Sequence, residues 1–129
     1  MKDFNNWNTQ KQSLDKRNKV VYFQVRDVFW ARPGENVGFE QSGKGSCFMR
    51  PILVFKKFNL HVFWGIPLTT QKKNGVFYYS FELKGRRRSA ILSQVRLFDA
   101  RRLEQKIGKI SKKDFNALEK AIQYLLDHF

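Results

Sequence analysis

A succession of short strand-forming runs, separated by turn residues, most constrains what this chain can fold into. The runs are rich in β-branched and aromatic residues, and they cover residues 25–31, 50–55, 60–70, 76–83 and 89–98. Short strands at this spacing are typical of a small, strongly bent antiparallel sheet or barrel. Strands do not alternate with helices here, so a doubly wound parallel sheet is not expected.

Turn signals within this region suggest how the strands connect. Asn74-Gly75 accepts positive φ at little cost and predicts a hairpin between the runs on either side of it. Pro67 cannot donate to a strand ladder, so it marks an edge, a bulge or the last paired position of its strand. The basic sequence from Lys84 to Arg88 is interpreted as a hairpin tip.

The two ends of the chain have a different period. Phe4, Trp7 and Leu14 recur at roughly helical spacing in a polar segment, which predicts an N-terminal helical arm over residues 1–19. Ser111 is a candidate N-cap for a helix over residues 111–128. The apolar stripe of that helix is expected to pack on the sheet; it comprises Phe115, Leu118, Ile122, Leu125 and Leu126. The sequence therefore predicts one mainly β (α+β) domain: the arm, a strand-rich barrel over 20–103, and the C-terminal helix.

The net charge of the chain limits which partners are expected. Lys and Arg number 25 against 11 Asp and Glu, which gives a net charge of +14. A partner rich in phosphate or carboxylate is expected, with nucleic acid the first candidate, an acidic protein the second and an anionic membrane surface the third. No segment is apolar over the length needed to span a membrane.

The small number of cysteines and histidines limits the metal sites and disulfides that the chain can form. Cys47 is the only cysteine, and His61 and His128 are the only histidines. An intrachain disulfide and a Cys/His metal cluster are therefore excluded within one chain, and a reducing cytoplasm is expected. No metal or other cofactor is predicted.

The loop over residues 38–45 and the strand that follows it are the first place to look for a site. The loop carries Glu40, Gln41 and Lys44 among glycines, and Arg50 opens the strand, which fixes its guanidinium. None of the Walker, Gly-x-Ser-x-Gly, His-Glu-x-x-His or dinucleotide motifs occurs. If RNA is the substrate, its own 2′-OH is the nucleophile, and arginine, hydroxyl and carboxylate groups suffice for positioning and charge stabilisation.

Several motifs, in this order, resemble the PemK/MazF toxin family of type II toxin–antitoxin systems. The matching segments are Gly38-Phe39-Glu40-Gln41, Gly43, Arg50-Pro51-Ile52-Leu53-Val54, Ile66-Pro67-Leu68-Thr69-Thr70, Leu92-Ser93-Gln94-Val95-Arg96 and Asp99-Ala100-Arg101-Arg102-Leu103. The resemblance covers the chain from about Val25 to the C-terminal helix. The segment Lys44–Met49 makes the loop longer than in many members, and short members lack the polar N-terminal arm.

The resemblance implies a dimeric, SH3-like barrel that acts as a metal-independent, sequence-specific endoribonuclease on single-stranded RNA. It implies that Arg50 and Thr69 are the catalytic pair, that Glu40 takes part in activity, and that Gln94 lines the RNA-binding groove. It also implies an acidic antitoxin as the protein partner. The recognition sequence cannot be carried over, because loops set it.

Other basic and polar side chains are candidates for RNA contacts. Gln41 and Lys44 lie in the loop, and Arg86, Arg87 and Arg88 could add salt-dependent affinity beside a groove. A second reading of different class remains open: a non-catalytic binding module, or a toxin of the same fold that poisons a protein target such as gyrase. Intact Arg50 and Thr69 favour the nuclease.

Overall fold

The structure, a computed structural model, describes residues 21–32 and 49–129. The N-terminal arm predicted over residues 1–19 lies outside the described residues. So do three of the predicted site residues, Glu40, Gln41 and Lys44. The described residues contain the strands, the C-terminal helix and the remaining candidate residues.

Seven strands and one α-helix make up the described part of the chain. The strands are β1 (Asp27–Ala31), β2 (Arg50–Lys57), β3 (Val62–Thr69), β4 (Tyr78–Leu83), β5 (Arg86–Ile91), β6 (Arg96–Asp99) and β7 (Leu103–Lys109). Short 3-10 turns at Leu92–Gln94 and Ala100–Arg102 flank β6, and helix α1 covers Lys112–His128. This mainly β architecture with a C-terminal helix confirms the predicted fold class.

Strand β3 is the centre of the antiparallel sheet, whose order is β4-β5-β3-β2-β1-β7 with β6 also on β3. One side of β3 pairs with β2. The other side pairs with β6 through Gly65 and then with β5 from Leu68 onward. Pro67 pairs with Ile52 inside the sheet, at the point where the partner on the opposite side changes. A missing N–H is tolerated at this change of partner, and Pro67 does not mark the end or the edge of the strand.

The two faces of the sheet carry separate cores. We call them the helix face and the Ile52 face. On the helix face, α1 covers buried side chains that include Val28, Leu53, Ile66, Leu68, Phe81, Leu83 and Ala90. On the Ile52 face the buried residues include Phe29, Ala31, Ile52, Val54, Phe63, Phe98 and Leu103. Alternation along each strand produces this division, so neighbours such as Phe63 and Trp64 point to opposite faces.

Helix α1 is anchored at its first turn. Ser111 Oγ accepts a hydrogen bond from the Asp114 N–H at 3.1 Å, as predicted for an N-cap. Tyr79 of β4 donates its hydroxyl proton to Asp114 Oδ1 at 2.8 Å, and burial together with that carboxylate raises the pKa of Tyr79 to about 12. Phe115 and Leu118 are buried against the sheet. Leu126 is 72% exposed, so the apolar stripe ends before it.

The hairpin predicted at Asn74-Gly75 is wrong. Strands β3 and β4 are not neighbours, because β5 lies between them. The two-residue turn that joins paired strands is Lys84-Gly85, whose φ values of 55° and 72° match the type I′ geometry of a tight hairpin. The residues between Thr69 and Tyr78 instead carry the chain past β5.

Two further sequence-based boundaries differ from the structure. Strand β2 continues through Lys56 and Lys57, beyond residue 55 at which the sequence analysis ended the second run. Strand β7 continues to Lys109, beyond residue 103 at which the sequence analysis ended the barrel. Because β7 is an edge strand, only Leu103 is buried in it, and its polar sequence gave no strand signal.

Gly65 permits the close approach of β2, β3 and β6. A Cβ at this position would lie 2.6 Å from Ile52 Cγ2 and 2.7 Å from Phe98 Cδ2. Phe98 in turn stacks on Phe63, with ring centroids 5.7 Å apart. Ile52 and Phe98 can pack over β3 at this point only because residue 65 has no side chain.

Gly65→Ala is therefore expected to lower the free energy of unfolding by about 1–3 kcal/mol, because overpacking moves Phe98 or the strands. Urea denaturation measures the change. Gly108→Ala is the matched control: its Cβ would meet the flexible Lys84 Cε at 3.2 Å and Leu83 Cδ1 at 3.3 Å, so a smaller loss is expected. Equal losses in the two variants would contradict this account.

Asp99 organises the turn between β6 and β7. Its Oδ1 accepts hydrogen bonds from Arg101 N at 2.9 Å and Arg101 Nε at 3.0 Å, and its Oδ2 accepts one from Arg101 Nη2 at 2.9 Å. These bonds lower the pKa of the Asp99 carboxyl. The turn leads to Arg102, whose Nη1 donates to the Arg32 carbonyl at 3.1 Å and so ties the turn to the end of β1.

Asp99→Asn is expected to be less stable than the wild type at neutral pH, with a difference that shrinks in acid. A carboxyl whose folded pKa is lowered contributes stability above its unfolded pKa, about 3.9, and loses it as the pH falls through the folded value. Urea titrations from pH 7 to pH 2 measure this. Asp127→Asn, on the exposed end of α1, is the control expected to change stability little. A difference independent of pH would refute the assignment to Asp99.

Candidate active site

Arg50 and Thr69 face the same side of the sheet, the Ile52 face, at the adjoining ends of β2 and β3. The last pair of the β2–β3 ladder is Ile52 opposite Pro67. Arg50 and Thr69 each lie two residues beyond that pair, and alternation along a strand turns both of them to the face of Ile52. The sheet therefore brings together the two residues that the sequence analysis placed in a catalytic pair.

The Arg50 side chain is largely withdrawn from water. It is 3% exposed, and its backbone pairs with Ala31 of β1. Burial lowers the pKa of its guanidinium, which still remains charged at neutral pH. Because the surroundings have a lower dielectric than water, such a fixed cation acts more strongly on a nearby anion than an exposed one does.

A hydrogen bond fixes the position of the Thr69 hydroxyl oxygen. Its Oγ1 accepts a hydrogen bond from the Gln71 N–H at 3.2 Å, and the residue is 5% exposed. The bond occupies an acceptor position of the hydroxyl and leaves its proton available for donation. Thr69 can therefore donate to an oxygen placed beside Arg50.

Two serines extend this pair into a row, and sequence reasoning missed both. Thr69 pairs with Ser89 of β5, and Ser89 pairs with Ser80 of β4. The row Arg50, Thr69, Ser89 and Ser80 thus crosses four adjacent strands on one face. The turn at Lys84-Gly85 was the signal that could have found them, because counting outward from it pairs residue 80 with residue 89.

Gln94 lies at the end of the 3-10 turn between β5 and β6. Both of these strands pair with β3, so the turn lies beside the Ile66-Pro67 step, next to the row. Gln94 is half-buried. The structure therefore places it close to the strand end that carries Thr69.

The three consecutive arginines do not form a hairpin tip, because all of them belong to β5. Alternation divides them between the two faces. Arg87 is exposed and points to the same face as Ser89, with Glu82 of β4 opposite it. Arg86 and Arg88 point to the helix face, opposite Leu83 and Phe81. Only Arg87 of the three shares a face with Arg50 and Thr69.

Arg88 differs from Arg86 and Arg87 by being buried, at 6% exposed. Burial, and then the charge of Arg86, lower the pKa of its guanidinium. An arginine in this position is part of the sheet rather than of a solvated loop, so it is separated from the row by the sheet itself.

Two kinds of feature are absent from the part of the chain that the structure describes. Residues 21–32 and 49–129 contain no group of three or more His, Cys, Asp or Glu side chains that could hold a metal ion. Within the same ranges, no helix has the length and apolar character required to cross a bilayer.

Known structures and sequences resemble this chain. A structure of MazF from Deinococcus radiodurans superposes with a TM-score of 0.68 at 17% identity, over 83% of this chain and 98% of that one. The Mycobacterium tuberculosis toxin MazF-mt6 gives 0.61 at 16% identity, over 79% of this chain and 97% of that one. An endoribonuclease in complex with its cognate antitoxin, from a mycobacterial species, gives 0.63 at 11% identity, over 84% of this chain and 98% of that one. At these identities the likeness shows the fold.

The comparison of sequences adds the family. No curated protein sequence matches the chain. The family model described as PemK-like, MazF-like toxin of type II toxin–antitoxin system matches residues 24–126, which includes the whole sheet and nearly all of α1. The resemblance stated from the ordered motifs is thereby confirmed, and the chain belongs to the PemK/MazF family of type II toxins.

Proposed function

We propose that this toxin is a metal-independent, sequence-specific endoribonuclease that cuts single-stranded RNA and leaves 2′,3′-cyclic phosphate and 5′-hydroxyl ends. The observation that carries the proposal is that a buried guanidinium, of Arg50, and a hydroxyl that accepts from Gln71, of Thr69, face the same side of the sheet at the adjoining ends of β2 and β3. Endoribonuclease activity is known for the PemK/MazF family, and this pair supports it here.

In this mechanism the 2′-oxygen of the substrate attacks the adjacent phosphorus. A bond forms between the 2′-oxygen and phosphorus, the bond from phosphorus to the 5′-oxygen breaks, and the proton lost from the 2′-OH is balanced by the one that the leaving 5′-oxygen gains. Arg50 stabilises the charge that develops on the phosphoryl oxygens, and Thr69 donates a hydrogen bond to the same group. Glu40 takes part in proton transfer.

Other residues bind the RNA rather than react with it. Gln94 lies beside the strand end that carries Thr69 and contacts a neighbouring nucleotide. Gln41 and Lys44 contact the RNA from the loop. Arg87 contributes a cation on the same face. Arg86 and Arg88 point to the helix face, so we no longer expect them to contact the same strand of RNA.

The protein partners follow from the same proposal. A homodimer in the cytoplasm is restrained by an acidic antitoxin, which a net charge of +14 would attract. The solved complex of a mycobacterial endoribonuclease with its cognate antitoxin, which has the same fold, supports such a partner.

The test is cleavage of a long single-stranded RNA in EDTA, with the cut ends mapped chemically. Wild type is expected to cut at discrete sites and leave cyclic phosphate ends. Arg50→Lys and Thr69→Val should each lower kcat by about 10²-fold, because each removes a hydrogen bond made to the reacting phosphate. Both changes preserve side-chain volume, so circular dichroism should show an intact fold.

Lys120→Ala is the control for the loss of a charge, since Lys120 is exposed on α1. It should cut like the wild type. RNA that is bound but left intact by the wild type, with binding that weakens as salt rises, would leave a basic binding module and refute the nuclease. Cutting that requires a divalent metal would refute metal independence alone.

Neighbouring arginines provide a second test. Arg87→Ala should weaken RNA binding and reduce the slope of log Kd against log salt by about 0.7, the value for one phosphate contact on a single strand. Arg86→Ala removes the same charge one residue away, on the opposite face, and should change the slope less. Fluorescence anisotropy with an uncleavable 2′-deoxy oligonucleotide measures both. Equal slopes in the two variants would show that RNA does not prefer the face of Arg87 over the helix face.

A further inference from the structure

We propose that Ser80 and Ser89 form a phosphate subsite for the nucleotide next to the cut, in which Ser80 donates to a phosphoryl oxygen and Ser89 positions Ser80. This inference rests on the proposed function. It assigns a binding role to two hydroxyls that the catalytic pair does not use.

The first support is the row itself. Ser89 lies opposite Thr69, and Ser80 lies opposite Ser89, so both serines share a face with Arg50 and Thr69. Strands are spaced about 4.8 Å apart, which puts Ser80 two strands, or about 10 Å, from Thr69. A hydroxyl at that distance cannot bond the phosphate held by Thr69, since such bonds are about 2.5–3.0 Å long. An RNA strand lying along the row would meet Ser80 with a different phosphate.

The second support is the direction of the hydrogen bond. Ser80 Oγ and Ser89 Oγ are 2.8 Å apart, and the distance alone leaves open which of them donates. Ser89 is 1% exposed, whereas Ser80 is half-buried. Among the described residues, the Ser89 hydroxyl forms its hydrogen bond with Ser80. The buried hydroxyl therefore donates to Ser80, because a buried proton without an acceptor is costly.

This direction prepares Ser80 as a donor. Its oxygen accepts from Ser89, and its own proton is left for an acceptor outside this pair. A hydroxyl that accepts one hydrogen bond is polarised to donate a stronger one. Ser89 thus acts through Ser80 and is a positioning residue.

The third support is the charge around the pair. Arg87 lies two residues from Ser89 on the same face, about 7 Å along the strand, and adds a positive charge. Glu82 lies opposite Arg87, two residues from Ser80 and also about 7 Å along its strand. Directly opposite charges on one face attract, so Arg87 offsets the charge of this carboxylate beside the serine pair. A phosphoryl oxygen is the group on RNA that suits a hydroxyl donor next to a cation.

The expected kinetic effect follows from the distance. Because Ser80 is remote from the reacting phosphorus, its bond is equally strong in the ground and transition states, so its loss raises KM and leaves kcat unchanged. Ser80→Ala should raise KM about 10-fold, the effect of one hydrogen bond to a charged group. Ser89→Ala should raise KM less. The double variant should be no worse than Ser80→Ala, because Ser89 acts only through Ser80.

The experiment uses the full-length protein and oligonucleotides that contain a mapped cut site. Each oligonucleotide carries one neutral methylphosphonate at a phosphate other than the scissile one. At one position the methylphosphonate should raise the KM of the wild type about 10-fold while leaving that of Ser80→Ala unchanged. Ser80→Thr, which retains the hydroxyl on a strand-forming residue, should restore the wild-type KM. Ser111→Ala is the control for lost stability, because it removes only the helix cap and should lower Tm without changing KM.

Two results would overturn the subsite. One is an unchanged KM in Ser80→Ala; the other is a methylphosphonate effect that persists in that variant at every position. A lower kcat and lower Tm in Ser89→Ala, with unchanged KM, would mark a merely structural role. If the wild type cuts no RNA, the proposed function fails by itself. Binding of the same RNA then decides the subsite, since equal affinity of wild type and Ser80→Ala would refute it.

Discussion

The hydrogen-bonded register of β3 is the constraint on which the rest of the structure depends. This strand pairs with β2 along one side and with β6 and then β5 along the other, so its alternation decides which side chains of four strands share a face. A shift of one residue would send Thr69 to the helix face and Leu68 to the other. Gly65 fixes the register of β3 between β2 and β6, because Ile52 from β2 and Phe98 from β6 occupy the space of its missing Cβ.

Buried arginine is the second recurrent feature of this sheet. Burial lowers the pKa of Arg50, Arg88 and Arg102, which means that each guanidinium has lost favourable hydration. Withdrawing a guanidinium from water costs stability, which hydrogen bonds and ion pairs within the protein reduce. Under the proposed function, a phosphoryl oxygen of the substrate adds a further favourable interaction at Arg50.

Much of the fold was predictable, and the failures have identifiable physical causes. The runs that became β1 to β3 were found because buried strands are rich in β-branched and aromatic residues. The motifs that contain Arg50 and Thr69 were read correctly as strand ends. Strand β7 was missed because an edge strand buries little, and the hairpin at Asn74-Gly75 was wrong because local turn propensity does not determine which strands pair. The loop residue Glu40 lies outside the described structure, so its role stays a prediction.

The two serines of the row could not be identified as site residues from the motifs in the sequence. Ser80 and Ser89 belong to none of the motifs, and their place beside Thr69 follows only from the pairing of β3, β4 and β5. Relatives with 11–17% identity retain the fold, which indicates that the pattern of buried positions, rather than particular residues, builds the sheet. The register of the sheet then determines which polar residues share the Ile52 face. Under the proposed function, it holds Arg50 and Thr69 at the adjoining ends of β2 and β3 and sets Ser89 and Ser80 beside them on β5 and β4.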